Sequence, residues 1–549
     1  MFLLHLSDLC KRKFIVKQFI EKYRNRIVLM GLFVFFVHGS KLHSTVIGID
    51  SEDIMNSGLG FYNGWVHTGR GGLVLLKYLF GNSTFNPYLA GGMTIVLFTL
   101  SVFFMLFLWE RVYGGHEEKG SLAAFLVGGF LLASHPVWVE QFYFSLQSME
   151  ICVGLLITVA ALFLSRRLSL REGIRDGWYA LTSVLCLLLA FSLYQSFVPL
   201  FIFGAVSLLL TDTLRRLTAG ERITSKEMLR QVFVYVAVFL TAFLLNQAIT
   251  CFFFSPSEYL NNQIKWGSES VAKGLYRMLA HVVRVFTGYK SVFYHFSFGA
   301  LCILAACLLI GKVKRSNAGK TGAGWIAFLY GSLLLTPFLM TFLMGSSPVI
   351  RSQLVLPCAT AYLAWLTVML FLEEHPLSGR IGELGISGGI VWIVTALVCI
   401  TGIWSQIGRS LALYYTDACR YAEDERIGRD LINRIDVVMN GKNLPVVFLG
   451  RHEFSGNRSC VEGEMIGVSF FDHDTDEEPR FYFSSRRVIG FLHTLGRDYR
   501  LIEQDEVADY VDYWYYMPAY PQENCVQIQN NTVVVKLGPL DKECEKKEE

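Results

Sequence analysis

The stretch Gly48-Ile49-Asp50-Ser51-Glu52-Asp53-Ile54 places three carboxylates within four residues, soon after the first apolar segment of the chain. A second stretch, Gly64-Trp65-Val66-His67-Thr68-Gly69-Arg70-Gly71-Gly72, then supplies the next strongly basic residue. Carboxylates at the edge of an apolar segment are costly unless they are hydrated, paired or functional. The pattern therefore predicts an active site at a membrane surface, with Asp50, Glu52 and Asp53 as catalytic candidates. A local role is compatible with this, in which Asp50 caps a helix whose third residue is Asp53.

The composition indicates a membrane protein. Hydrophobic residues make up 53% of the 549 residues, and the mean hydropathy is +0.40. Burial in one water-soluble core cannot account for so many apolar side chains, so most of them must face lipid. The formal net charge of +3 gives no reason to expect a nucleic-acid partner. The first apolar run, at 27–37, follows a long basic arm and lacks a small-residue cleavage site, which favours a membrane span over a signal peptide.

The apolar runs predict the fold class, because a membrane span needs about 20 apolar residues. We expect a polytopic α-helical membrane protein with about eleven transmembrane helices, at 27–42, 88–109, 121–136, 148–165, 177–194, 197–212, 231–251, 296–311, 324–344, 353–372 and 388–407. Lys and Arg crowd the arm 1–26 and one set of alternate loops, which therefore belong in the cytoplasm. With an odd number of spans, the membrane domain 27–407 has its loops 43–87 and 252–295 outside, together with the tail 408–549.

The tail is predicted to form a small extracytoplasmic α/β domain. Its expected elements are helices at 411–438, 485–496 and 503–516, a buried strand at 444–449, and a hairpin in which Asn530-Asn531 joins 525–529 to 532–537. The tail also contains Cys419, Cys460, Cys525 and Cys544, and an outside compartment permits a disulfide among them. The spacing of these cysteines does not fit a metal site.

Candidate anion-binding residues follow the acidic stretch and recur near the last spans. Arg70 and Lys77 would share a helical face if a helix opens after the glycines, which would let the backbone approach an anionic headgroup. A solvated basic face is the alternative for this pair. Arg351, at the outer mouth of the last spans, must find an anion or reach water. Its planar guanidinium suits a phosphate.

A helix predicted at 268–286 is amphipathic and should lie flat on the outer leaflet. Its polar face carries Lys273, Arg277, His281 and Arg284. This helix would either anchor the protein to anionic lipid or help to hold a lipid phosphate.

Several segments together resemble the bacterial multi-span glucosyltransferases related to the phage serotype-converting O-antigen glucosyltransferases. They are Ile49-Asp50-Ser51-Glu52-Asp53-Ile54, Phe61-Tyr62-Asn63-Gly64-Trp65, Gly69-Arg70-Gly71-Gly72-Leu73-Val74, Leu193-Tyr194-Gln195-Ser196, Leu413-Tyr414-Tyr415-Thr416-Asp417, Arg420-Tyr421 and Pro445-Val446-Val447-Phe448-Leu449-Gly450. The resemblance covers nearly the whole chain. It implies a C-type membrane glycosyltransferase fold, in which the first outer loop carries the catalytic carboxylates.

The resemblance also implies a reaction. The donor would be a polyprenyl-phosphate sugar, glucose by the family's name, and the acceptor a surface polysaccharide or another extracytoplasmic glycan. One of Asp50, Glu52 and Asp53 would be the general base of an inverting transfer. The donor phosphate would be bound by basic residues, namely Arg70, Lys77, Arg351, Arg277 and Arg284. The candidates for contact with sugar or acceptor are Trp65, His67, His135, Tyr194 and Gln195. No metal ligands are expected, and a divalent cation is left open as a cofactor.

Two other function classes use the same residues. An ion-coupled transporter would bind a cation at the carboxylates, but it predicts ionisable residues at mid-membrane and inverted repeats. The predicted spans are almost free of charge at mid-depth and no repeat is evident, which favours the enzyme. A non-catalytic assembly protein of the cell envelope would use the tail to bind wall polymer. His135, Tyr194 and Gln195 equally fit hydrogen-bonded helix ends.

Overall fold

The computed structural model describes residues 2–42, 45–114, 119–168, 174–253, 264–267, 269–316, 319–374, 385–475 and 477–539. In these residues, ten helices are long and apolar enough to cross a membrane, and a bent pair of helices raises the number to eleven. The chain is thus a polytopic helical membrane protein, as its composition predicts.

Helices dominate the described chain. In order they are α1 (Phe2–His38), α2 (Ser51–His67), α3 (Gly71–Leu79), α4 (Pro87–Tyr113), α5 (Lys119–Ser134), α6 (Val137–Tyr143), α7 (Ser145–Arg167), α8 (Ile174–Leu193), α9 (Phe197–Thr218), α10 (Ser225–Phe253), α11 (Val271–Thr287), α12 (Ser297–Arg315), α13 (Gly319–Leu335), α14 (Leu339–Met344), α15 (Val355–Glu374), α16 (Gly385–Met439), α17 (Tyr482–Thr494) and α18 (Tyr513–Tyr516).

Helix α15 lies at the centre of the bundle, because it is apolar on every side and all of its spanning window is buried. One of its polar groups, the Tyr362 hydroxyl, bonds to a neighbouring helix. The Tyr362 hydroxyl lies 2.9 Å from the Thr211 hydroxyl of α9 and donates to the Ser207 carbonyl at 3.1 Å. The Trp109 indole of α4 donates to the Ser207 hydroxyl at 3.1 Å, so one spot on α9 joins three helices.

Two predicted spans are broken by proline. The span expected at 121–136 corresponds to α5, which ends at Ser134, and the short helix α6 follows it at an angle of 45°. Pro136 lacks a backbone N–H and disfavours helical geometry at His135, which explains the break. The span expected at 324–344 is interrupted in the same way by a 3₁₀ turn, Thr336–Phe338, that contains Pro337.

Helix α16 corrects the predicted helix pattern of the tail. The last span, expected at 388–407, and the tail helix, expected at 411–438, are one uninterrupted helix of 55 residues, roughly 80 Å long at 1.5 Å per residue. The boundary expected between 407 and 408 therefore falls inside a helix. The tail is carried on a rigid extension of the last span and has no linker there.

The tail sheet follows the sequence pattern. Strand β1 (Val446–Leu449) is buried at every residue, and β2 (Val526–Gln529) and β3 (Thr532–Lys536) form the expected hairpin. The strand order is β1-β3-β2, with β3 parallel to β1 and antiparallel to β2. Asn530 and Asn531 both have positive φ, of 45° and 66°, as a two-residue turn of this type requires. The helix expected at 503–516 is instead a 3₁₀ turn, Val507–Tyr510, followed by the single turn α18.

Candidate active site

The three carboxylates of the first loop differ in exposure. Asp50 precedes α2 with a left-handed backbone, φ 75°, and its side chain makes no cap hydrogen bond, so the capping role is wrong. Glu52, in the first turn of α2, is fully buried. Asp53 keeps 27% of its side chain exposed and Asp50 keeps 38%. Two carboxylates can therefore meet a substrate, and the third faces the protein.

The cation that faces this cluster comes from the tail. Arg487, on α17, donates to Glu52 Oε1 at 2.5 Å and to Asp474 Oδ2 at 2.6 Å, and it lies 3.4 Å from Asp50 Oδ1. Its neighbour Arg486 lies 3.2 Å from Asp53 Oδ2. Neither arginine was expected at the site from the sequence pattern. The adjacent Arg486-Arg487 pair in a predicted tail helix was the only signal for them in the sequence.

Burial raises the pKa of Glu52 to about 8, although Arg487 opposes the shift. Burial would also raise the pKa of Asp474, but hydrogen bonds to His473 and Arg487 hold that pKa below its ordinary value. A carboxyl group with a pKa near neutral can hold or release a proton at working pH, which is typical of functional sites.

Buried contacts fix the backbone that leads into the cluster. The Ile49 backbone N–H donates to the Tyr143 hydroxyl at 3.1 Å, and Arg420 donates to the Ile47 carbonyl at 3.0 Å. Arg420 belongs to α16, is fully buried and binds Asp417 at 2.6 Å and Asp424 at 3.0 Å. The acidic loop is thus held between the helix end at Tyr143 and the long tail helix.

A cavity of about 380 Å³ gathers four of the predicted site residues, which are Arg70, Tyr194, Gln195 and Arg351. Much of its remaining wall is apolar and comprises Ile264, Met340, Leu343, Met344 and Val349. A cavity with two guanidinium groups and an apolar wall suits an amphipathic anion.

Arg70 forms no ion pair with a carboxylate in the described chain, and an aromatic ring holds its guanidinium. Its guanidinium lies 5.1 Å from the centroid of the Tyr194 ring, and within the described chain its buried Nε atom has no hydrogen-bond partner. The Gln195 amide donates to the Thr68 carbonyl at 3.0 Å and ties the turn between α8 and α9 to the end of α2. Gly69, with φ 77°, makes the left-handed turn that brings Arg70 round to this wall.

Arg351 stands on the other side of the cavity, with its guanidinium 4.3 Å from the centroid of the Phe144 ring. Glu464, from the tail, accepts a hydrogen bond from the Ile350 backbone N–H at 2.8 Å. Burial raises the pKa of Glu464, while Arg351 acts to lower it. Tyr143, which holds the acidic loop, and Phe144, which supports Arg351, are consecutive residues, so one short segment contacts both parts of the candidate site.

Three predicted phosphate ligands lie elsewhere. Lys77 is fully buried in an ion pair of 2.9 Å with Glu150 on α7, and α3 opens only after Arg70, so the two basic residues do not form one face. Gly72 serves close helix packing and does not meet a headgroup: a Cβ atom there would lie 2.3 Å from the Ser192 hydroxyl. Arg277 pairs with Glu269 at 2.9 Å, and Arg284 is exposed on α11.

Helix α11 matches the predicted surface helix with one correction. His281 was expected on the polar face, but it is buried and hydrogen-bonds Thr341 at 2.9 Å and Tyr294 at 3.2 Å. The apolar side chains of Val271, Leu275 and Leu279 are instead exposed. An apolar face that the protein leaves uncovered suits contact with lipid.

The remaining candidates, Trp65, His67 and His135, lie outside the cavity. Trp65 is buried and packs on Phe61 at a ring distance of 4.9 Å, and His67 is exposed near the end of α2. His135 is buried at the break between α5 and α6, where its Nδ1 accepts from the Val137 backbone N–H at 3.3 Å. None of the three is among the residues that line the described cavity.

The described residues contain no group of three or more His, Cys, Asp or Glu arranged to hold a metal ion. Cys419, Cys460 and Cys525 are free thiols, so the expected disulfide does not form among them. Cys544 lies outside the described residues.

One comparison with known proteins found a match. The model of one protein family, described as "Glucosyl transferase GtrII", matches residues 39–368, which is more than half of the chain. Neither the search of curated proteins nor the search of solved structures found a match. The matched region contains the acidic loop, Arg70, the turn between α8 and α9, and Arg351, and it ends before the tail that supplies Arg487. The chain belongs to the GtrII family of glucosyl transferases.

Proposed function

We propose that this glycosyltransferase moves a sugar, glucose by its family, from a polyprenyl-phosphate carrier to an extracytoplasmic glycan, with inversion at C1. The observation that carries the proposal is the cavity in which Arg70 and Arg351 share a wall with apolar residues. A polyprenyl phosphate has an anionic head and a hydrocarbon tail, and both kinds of wall are present.

The arginines would act on the leaving group. As the bond between C1 and the phosphate oxygen breaks, the departing phosphate gains negative charge, and preorganised guanidinium groups stabilise that charge. Arg70 is suited to this role because no carboxylate in the described chain neutralises it, and the Tyr194 ring fixes its position.

The acidic cluster would supply the base. An acceptor hydroxyl oxygen attacks C1 while its proton passes to a carboxylate, so one C–O bond forms as the other breaks. Asp50 and Asp53 are the accessible carboxylates, and Glu52 is enclosed behind them against Arg487. We infer that Asp50 faces the cavity, because Tyr143 binds the backbone of its neighbour Ile49 and the adjacent Phe144 packs on Arg351.

The orientation is also part of the proposal. The tail pairs with the first loop through Arg487 and Glu52, so both lie at the same end of the helical bundle. The basic residues Arg166, Arg215 and Arg216 lie at the opposite ends of their helices. The positive-inside rule then favours a cytoplasmic N terminus, with the acidic loop and the tail outside.

The decisive experiment is a transfer assay with the full-length chain in proteoliposomes. The donor is polyprenyl-phosphate glucose with radiolabelled sugar, and the acceptor is polysaccharide from the native cell envelope. Arg351→Lys and Arg70→Lys test the phosphate role, because Lys keeps the charge but loses the planar fork. Arg222→Gln, at an exposed basic residue far from the cavity, is the matched control.

We expect transfer by the native chain and the control, and a loss of roughly 10²-fold in either cavity variant. Transfer from a sugar nucleotide but not from the lipid donor would refute the assignment of the donor. Cation uptake without sugar transfer would favour the transporter alternative, and binding of polysaccharide without turnover would favour the assembly protein.

A further inference from the structure

A second cavity, of about 300 Å³, lies at the opposite end of α9 from the first. Ser196, just before α9, lines the first cavity, and Asp212, Arg215 and Arg216, near the end of α9, line the second. A helix of 22 residues is about 33 Å long, close to the hydrocarbon thickness of a bilayer. The two cavities therefore face opposite leaflets.

The second cavity is strongly basic. Its wall contains Arg166, Arg167, Arg215, Arg216 and Arg230, and among the described residues that line it Asp212 is the only acidic one. The buried Asp212 carboxylate lies 3.1 Å from Arg166, 3.3 Å from Arg215 and 2.8 Å from Arg216. Three guanidinium groups carry more N–H donors than one carboxylate can accept, so donors remain for another anion.

Two other arginines of the cavity wall, Arg167 and Arg230, have fewer charged partners. In the residues that the structure describes, neither Arg167 nor Arg230 has a carboxylate within ion-pair distance. The guanidinium of Arg167 packs on the Phe163 ring, 4.9 Å from the ring centroid. Glu221 and Glu227 pair with Arg215 and Arg216 from outside the cavity wall. The cavity thus keeps an excess of positive charge.

The surroundings of the cavity are those of a lipid site. Leu229 and Phe233, beside Arg230 and Val234 on α10, are 57% and 62% exposed. Trp178, near the start of α8, is 64% exposed, as is usual for tryptophan at a membrane interface. A ligand in this cavity would have an anionic group among arginines and an apolar part against exposed helix faces.

We propose that this cavity binds the phosphate of an anionic phospholipid from the leaflet opposite the acidic loop. Basic pockets between spanning helices on the cytoplasmic side are suited to such headgroups. The alternative is that these arginines only set the orientation of the helices, as basic loop residues do in any membrane protein. That alternative requires no selective binding of lipid.

The test is a binding titration with the purified full-length chain in neutral detergent and phosphatidylglycerol that carries a fluorophore on an acyl chain. Unlabelled phosphatidylglycerol, phosphatidylcholine and inorganic pyrophosphate serve as competitors. The variant is Arg167→Gln/Arg230→Gln, which leaves the three arginines around Asp212 in place. Arg222→Gln, exposed between α9 and α10, is the matched control, and the melting temperature of each protein checks its folding.

We expect phosphatidylglycerol to compete and phosphatidylcholine to fail. The double variant should weaken binding by roughly tenfold or more, since each basic residue near a headgroup contributes about fivefold, and the control should bind as the native chain does. If the double variant does not fold, the two single variants answer the same question. Equal binding by folded variants would overturn the site. Displacement by pyrophosphate as strong as by phosphatidylglycerol would overturn the lipid assignment in favour of a soluble phosphate compound.

Discussion

Arg487 of the tail places its guanidinium 2.5 Å from the carboxylate of Glu52, although 435 positions separate the two residues in the chain. Only 12% of the arginine side chain and 1% of the glutamate side chain are exposed. The family match ends at residue 368, so a segment outside it completes the acidic cluster of the first loop. This arrangement makes the tail part of the candidate active site.

Arg487→Gln should destabilise the protein strongly. The substitution leaves the largely buried Asp474 carboxylate, whose pKa Arg487 helps to hold low, without its arginine, and breaking a buried ion pair typically costs about 3–5 kcal/mol. Arg486→Gln is the matched control, because its ion pair with Asp53 is half exposed and such pairs contribute about 0–1 kcal/mol. Thermal unfolding of the purified chains measures both.

At pH 9, above the pKa of Glu52, adding Glu52→Gln to Arg487→Gln should restore part of the stability, because it removes a buried carboxyl group that would otherwise ionise there without its cation. Additive losses in the double variant would show that the two residues are not coupled.

Variants of the three carboxylates should differ in their rate of sugar transfer. Removal of a general base costs on the order of 10²–10⁴ in rate, so Asp50→Asn or Asp53→Asn should lose that much without loss of folded protein. Glu52→Gln should be milder in rate because its side chain does not reach the surface. Near-normal turnover in both aspartate variants would show that the base lies outside this cluster.

Stability should depend on pH through Glu52. Its pKa is about 8 in the folded protein, while an unfolded glutamate titrates near 4.3, so the folded state holds a proton that the unfolded state releases. Stability from this group is complete below about pH 4 and is lost as the pH rises towards 8 and beyond.

Glu52→Gln should therefore gain stability relative to the native chain as the pH rises through that interval, by an amount that approaches about 5 kcal/mol at pH 8. Melting temperatures of the two proteins between pH 4 and 9 test this. A constant difference across the range would refute the raised pKa.

The surface helix α11 makes a separate prediction about the donor. Lys273 and Arg277 form ion pairs with Glu269, whereas Arg284 is exposed. Arg284→Gln should raise the apparent KM for the lipid donor about fivefold with little change in kcat, if this arginine meets the headgroups. Lys273→Gln is the control and should change neither constant. An unchanged KM in Arg284→Gln would leave α11 as a membrane anchor alone.

Much of the fold follows from the sequence alone, because its determinants are contiguous residues. Apolar runs long enough for a bilayer predict the spans, and the outcome agrees with ten or eleven of them. The Asn530-Asn531 turn predicts the tail hairpin, since asparagine tolerates the positive φ that the turn requires. The carboxylates of the first loop were also found in this way, because a charge beside an apolar segment is a local signal.

Only the tertiary structure decided which charges meet. Lys77 was expected beside Arg70, but helix packing buries it against Glu150, and Arg70 meets Arg351 across a cavity formed by distant helices. Arg487 reaches Glu52 because the long helix α16 carries the tail back to the first loop. Ion pairs and cavity walls depend on which helix faces are packed together, and that choice depends on side chains far apart in the chain. A pattern read along neighbouring residues carries no information about it.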